Sequence, residues 1–126
     1  MTFVLDASAV LAFLNGEAGA EEAAARFPGS AMSVVNAIEV GSKLMDRGMT
    51  NEAAWEAIEL LDVTLVDVDA GLAASATALR KNTRAKGLSL ADRVCLALAI
   101  REKLPAVTTD RLWASLDIGC PIEVIR

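Results

Sequence analysis

The chain of 126 residues has no histidine and no tyrosine. Without imidazole there is no His-based nucleophile relay, no histidine–metal centre and no imidazole acid/base chemistry. Whatever reaction the protein performs must run on carboxylates, hydroxyls, lysine or arginine. Cysteine is scarce as well. Cys95 and Cys120 lie in apolar stretches without metal-ligand spacing, and two cysteines make no disulfide framework, so both read as free buried thiols in a reducing compartment. Aromatic residues are only 4% of the chain, which suits Ala-rich helices better than a β-sandwich. The longest apolar run, Val94 to Ile100, falls far short of the roughly 20 residues that span a bilayer. No basic segment precedes the first apolar stretch, as a secretory signal would require. No Gly-rich phosphate loop is present, so nucleotide-triphosphate chemistry is unsupported. The expectation is a cytoplasmic protein with no membrane association.

What the chain does have is apolar surface, 54% of its residues, enough for a core within one domain spanning residues 1–126. Phe3-Val4-Leu5 reads as a short strand ending at Asp6, followed by a helix from Ala7 to Leu14. A second short helix, Ala20 to Phe27, stops at Pro28-Gly29, and Ala31-Met32 reads as a short strand. Ser33 caps a helix over Val34–Asp46, and Thr50 caps another over 51–61, with Ala54, Trp55, Ile58 and Leu61 at helical spacing. Val63–Val66 reads as a strand, Ala70 to Thr83 as one helix, and Ser89 opens a helix running to Leu104. Ala106–Thr108 then forms a strand ending near Asp110, before a short helix to Leu116 and a last strand, Ile122–Ile125. Strands alternating with helices predict an α/β domain of three layers, with a central, mostly parallel sheet between helices.

Charge is unevenly placed on a chain of net charge −5. Residues 1–40 carry one base, Arg26, against five acids, whereas residues 80–103 carry seven bases against two acids. Arg80, Lys81, Arg84, Lys86 and Arg93 are thereby candidates for gripping a polyanion by its phosphates. Solvated helix faces would give the same pattern.

Four acids stand out. Asp6 and Asp110 each follow a strand, where open α/β sheets gather ligands, although an Asp there also serves as a helix N-cap. Asp92 opens a helix that is apolar nearly all round, yet Ser89-Leu90-Ala91-Asp92 also reads as a capping box. Glu39 lies well inside its helix, where capping does not explain it, with Asn36 and Lys43 on the same face; a surface Glu–Lys pair is the plain alternative. Two unit charges 4 Å apart repel by about 4 kcal/mol at an effective dielectric near 20. Acids gathered in one cleft therefore imply raised pKa values or a bound cation, and oxygen-only donors select Mg²⁺ or Mn²⁺.

Val4-Leu5-Asp6-Ala7-Ser8-Ala9-Val10, Asn36-Ala37-Ile38-Glu39-Val40, Leu88-Ser89-Leu90-Ala91-Asp92-Arg93 and Thr108-Thr109-Asp110-Arg111-Leu112-Trp113 occur in that order. Together they resemble the PIN-domain family, in particular the VapC-type toxins of bacterial toxin–antitoxin pairs, over essentially the whole chain. The resemblance implies a PIN-like α/β/α fold and a Mg²⁺- or Mn²⁺-dependent endoribonuclease site. It places Asp6, Glu39, Asp92 and Asp110 at the family's acidic positions, with Glu39 either a ligand or the group that orients water. Ser8 and Thr109 match its small hydroxyl and polar positions, and Asn36 is a candidate to support Glu39. It also implies an RNA substrate, a homodimer and a VapB-type antitoxin in a groove beside the site. Some relatives carry a further acid after the last one; here Arg111 and Leu112 stand in its place. A PIN-like module that only binds RNA or a partner is the nearest alternative. A receiver-type phosphoacceptor domain, with Asp67 as acceptor, is a more distant one. A haloacid-dehalogenase-type phosphatase would need an acid where Ser8 stands.

Overall fold

Val4 and Leu5 are fully buried and form β1 (Val4–Leu5) at the centre of a five-stranded sheet. The computed structural model describes every residue, Met1–Arg126. The chain continues through α1 (Ala7–Leu14), α2 (Ala20–Arg26), β2 (Ser30–Ser33), α3 (Val34–Asp46), α4 (Asn51–Glu59) and β3 (Val63–Val66). It then runs through α5 (Ala70–Ala78), α6 (Arg80–Thr83), α7 (Leu90–Glu102), β4 (Ala106–Thr108) and β5 (Ile122–Val124). The strand order is β3-β2-β1-β4-β5 and every neighbouring pair is parallel. The sheet is wholly parallel rather than mostly so. No helix is long and apolar enough to cross a membrane.

The strand order decides where a ligand can sit. From β1 the chain moves outward to β2 and β3, then crosses back to place β4 on the other side of β1. Between β1 and β4 the winding reverses, and at such a switch point the connections leave a crevice outside the carboxyl ends of the strands. Leu5 lies opposite Val107 in register, so Asp6 and Asp110 follow adjacent strands at that crevice. Receiver-type modules use the order 2-1-3-4-5, and this topology departs from it.

Alternation along the strands sends side chains to two separate cores. Leu5, Met32 and Val107 pack with α1, α3 and α4 on one face. Val4 and Ala106 pack with α5, α7 and Trp113 on the other. Helix α7 is buried continuously from Val94 to Ala99, which explains its lack of a polar face. Trp113 is fully buried beneath the turn that follows Asp110 and fixes that turn to the second core.

Two elements differ from the pattern expected of the sequence. The helix expected over Ala70–Thr83 breaks after Ala78 and resumes as α6. The reason is local: the Leu79 carbonyl accepts from the Asn82 N–H, the Thr83 N–H and the Thr83 hydroxyl, and such back-bonding bends helices. The segment Arg111–Ser115 winds as a 3-10 turn rather than an α-helix. Gly87, at φ 68°, ends the turn over Arg84–Lys86.

Candidate metal centre in the interstrand cleft

Asp6 occupies the N-cap position of α1 but makes no capping bond with its side chain. Its carboxylate is held from the side instead. The Ser8 hydroxyl donates to Oδ2 at 2.6 Å and the Thr108 hydroxyl donates to the same oxygen at 2.9 Å. Those hydroxyls are themselves fixed by backbone donors: the Thr109 N–H to Ser8 Oγ at 3.0 Å, and the Asp110 N–H to Thr108 Oγ1 at 3.1 Å. The bonds tie β4 and α1 together around one oxygen, leaving Oδ1 for the crevice. Asp6 is only 4% exposed. Burial pushes its pKa up to about 6, the hydroxyl of Ser8 opposes the rise, and the charge of Asp92 adds to it.

The other acids divide their oxygens in the same way. Asp92 forms the capping box with Ser89: its Oδ2 accepts from the Ser89 N–H at 2.9 Å, and Ser89 Oγ accepts from the Asp92 N–H at 3.1 Å. Asp110 Oδ1 accepts from the Leu112 N–H at 2.9 Å. Capping and ligand binding are thus not exclusive here, because each cap consumes one carboxylate oxygen. Burial raises the Asp92 pKa, the bonds to Ser89 lower it and Asp110 raises it again. Glu39 is half-buried and raised by burial first and Asp92 second, while Lys43 pulls it down. No ion pair joins Glu39 to Lys43, so the surface-pair alternative does not describe it.

All four acids line one cleft of about 450 Å³, together with Ser8, Thr109 and the cations Lys43, Arg47 and Arg126. The remaining sequence candidates are placed elsewhere. Asn36 is fully buried; its amide donates to the Ala91 carbonyl at 3.1 Å and its oxygen accepts from Ser33. It therefore clamps α3 to the start of α7 beside Asp92 rather than bracing Glu39. Arg80, Lys81, Arg84 and Lys86 lie exposed on α6 and the following turn, outside the cleft lining. Arg93 turns inward and donates to the Ala76 carbonyl at 3.1 Å. Its place is in the packing of α5 against α7.

Sequence reasoning singled out Thr109, which lines the cleft, and passed over Thr108, whose hydroxyl holds Asp6. The available signal was a hydroxyl at the end of a buried strand, two residues before the acid. Lys43 and Arg47 also had one, since they follow Glu39 at i+4 and i+8. Arg126 had none.

The donor set fits a hard divalent cation. The cleft offers carboxylate and hydroxyl oxygens, and Cys95 is sealed in the core with its thiol pushed well up, by burial first and by Asp6 and Asp92 next. No three of the acids stand close enough together to form a ready ligand cluster. Zinc wants four close ligands, typically with nitrogen or sulfur among them. Mg²⁺ keeps several waters and takes one or two carboxylates directly, which suits donors spread across a cleft.

Residues 3–119 match the PIN domain family. The chain belongs to that family. No curated protein matches the sequence significantly. Among solved structures, this PIN domain resembles a toxin–antitoxin complex from Klebsiella pneumoniae, with a TM-score of 0.78 and 20% identity, covering 99% of this chain and 98% of the other. A DNA-bound VapBC from Salmonella typhimurium superposes with a TM-score of 0.75 at 18% identity, covering 100% and 99% of the two chains. VapC20 of Mycobacterium tuberculosis, described as a toxin that cleaves the sarcin–ricin loop, gives 0.74 at 19% identity, covering 95% and 99%. At such identities the likeness establishes the fold that this PIN domain shares with them.

Proposed function

We propose that the protein is a VapC-type toxin, a divalent-metal-dependent endoribonuclease that hydrolyses RNA phosphodiester bonds in the cytoplasm. The observation that carries this reading is the cleft itself: four acids from distant parts of the chain, three with one oxygen tied to the fold and another left over. Asp6, Asp92 and Asp110 would hold Mg²⁺ or Mn²⁺, directly or through water, and Glu39 would serve as a further ligand or orient the attacking water. The metal would supply Lewis-acid chemistry, neutralising phosphate charge and lowering the pKa of the attacking water. The chain's own work is positional. Ser8 and Thr108 hold the Asp6 carboxylate in one orientation, the Ser89 cap holds Asp92, and buried Trp113 steadies the turn carrying Asp110. The exposed cations Arg80, Lys81, Arg84 and Lys86 lie a few residues ahead of the Ser89–Asp92 cap and would draw RNA toward it. Arg93, turned inward, is less suited to that role.

The structural neighbours support a VapB-type antitoxin as partner, since two of them are toxin–antitoxin or VapBC complexes. A homodimer is supported by the surface near the α3–α7 junction. There Val35, Leu90 and Val94 line an apolar groove, Leu90 is 62% exposed, and Ile38, one turn beyond Val35, is 57% exposed. The open spacing of the acids favours one second reading, a PIN domain that binds RNA or its partner without cutting.

Cleavage of end-labelled tRNA and rRNA, with Mn²⁺ or Mg²⁺ against EDTA, separates the two. Asp92→Asn is the control of choice, because asparagine keeps an oxygen for the Ser89 N–H and so preserves the cap. Discrete metal-dependent cuts absent from the variant support the nuclease. Binding without cuts, unchanged in Asp92→Asn, would overturn it.

A further inference from the structure

The cleft is not uniformly acidic. Beyond Glu39, helix α3 carries Lys43 one turn on, Arg47 stands at its C-cap, and both line the cleft. An α-helix rises 1.5 Å per residue, so these cations stand on the order of 6 and 12 Å from Glu39 along the axis. Neither makes an ion pair or a side-chain hydrogen bond, so both cationic heads are free to take a direct anionic partner. Arg126 differs: its guanidinium donates to the Ala18 carbonyl at 2.9 Å and pairs with Glu17 at 3.1 Å. Asp46 shares the wall without pairing to either free cation, leaving the α3 ridge one charge positive beyond Glu39.

We infer that Lys43 and Arg47 form a phosphate track, along which the RNA strand leaves the cut site on one side. The inference rests on the nuclease reading and adds a direction to it. A strand whose scissile phosphate lies among the acids passes Lys43 and then Arg47, each of which neutralises one flanking phosphate. Arg47 offers a planar fork suited to two phosphate oxygens, and Lys43 a point charge. Such contacts set register and affinity without reading bases. The track therefore favours single-stranded RNA extended by at least two nucleotides on one side of the cut, and is indifferent to their sequence.

The test combines a variant with a trimmed substrate. Lys43→Gln with Arg47→Gln changes two exposed side chains, and a thermal melt checks that the fold is intact. Equilibrium binding of a single-stranded oligonucleotide is measured in the Asp92→Asn background, so that cleavage does not enter. For single strands, log K falls with log salt by about 0.7 per phosphate contact; the double substitution is expected to flatten that slope by about 1.4. In the cleaving protein KM should rise several-fold, by more than kcat falls. Oligonucleotides trimmed by two nucleotides should lose affinity when shortened on one side of the cut only, and the double variant should erase that asymmetry. An unchanged salt slope, or trimming that acts equally on both sides, overturns the track. A protein that cuts no RNA with either metal overturns the nuclease reading instead, while the binding titration still reports on the ridge.

Discussion

Replacing Asp6 by asparagine should stabilise the protein, even though Asp6 accepts two hydrogen bonds. Its carboxyl is displaced from an ordinary pKa of 3.8 to about 6, chiefly by burial. A raised pKa means that the folded state holds a proton more tightly than the unfolded chain does. The resulting stability is fully present below 3.8 and is lost as pH rises through about 6. Each pKa unit is worth about 1.4 kcal/mol, so ionised Asp6 costs the fold about 3 kcal/mol at pH 7. Asparagine is nearly isosteric and carries no charge. Its oxygen can take the place of Oδ2 and accept from the same Ser8 and Thr108 hydroxyls. Urea unfolding of wild type and Asp6→Asn, in EDTA at pH 4 to 7.5, gives the difference directly, and contributions from Glu39 and Asp92 largely cancel. The variant should be more stable by about 2–3 kcal/mol at pH 7, with the gain shrinking toward zero near pH 4. A variant less stable than wild type at pH 7, or a difference independent of pH, would refute the account of Asp6 as a charge held against burial.

Mg²⁺ or Mn²⁺ at millimolar concentration should raise the melting temperature of the wild type, because a cation relieves repulsion among the acids, and Asp6→Asn should lose most of that shift; scanning fluorimetry reads both. Thr108→Val removes a bond to a carboxylate and leaves the Asp110 N–H without its acceptor, at a cost of about 1.5–3 kcal/mol. Thr109→Val should change stability by less than about 0.5 kcal/mol, since only its backbone N–H serves the network; chemical denaturation of the pair tests the contrast. Lys103 is the one non-glycine residue at positive φ, 56°, where it closes α7. Lys103→Gly should therefore stabilise by about 0.5–1 kcal/mol, and a loss of stability would mean that the lysine makes contacts worth more than its backbone strain.

What could be read from the sequence was what depends on near neighbours. Short apolar runs ending at an Asp located the ends of β1 and β4. Ser33, Thr50 and Ser89 marked helix starts, and each accepts the expected backbone N–H. The four acids could be named because a shared rim follows from parallel strands. What escaped was set by contacts across long separations. Thr108 meets Asp6 over 102 residues and Asn36 meets Ala91 over 55, and neither pairing leaves a local pattern. The basic stretch from Arg80 to Arg93 looked uniform in composition. Folding turned Arg93 inward while leaving its neighbours in solvent, a distinction governed by how α5 packs on α7. Arg126 reaches the cleft only because β5 lies beside β4.

The two cores divide the site between them. Asp6 and Glu39 come from the first third of the chain, Asp92 and Asp110 from its last third, and the Ser8–Asp6–Thr108 bonds are the seam. During synthesis, therefore, no cleft exists until β4 has left the ribosome and docked beside β1. The whole stretch from β1 to β4 must emerge before the four acids can meet. A truncated product lacking β4 carries three of the four acids but loses Asp110 and the Thr108 half of the seam, so interrupted translation yields fragments with an incomplete site.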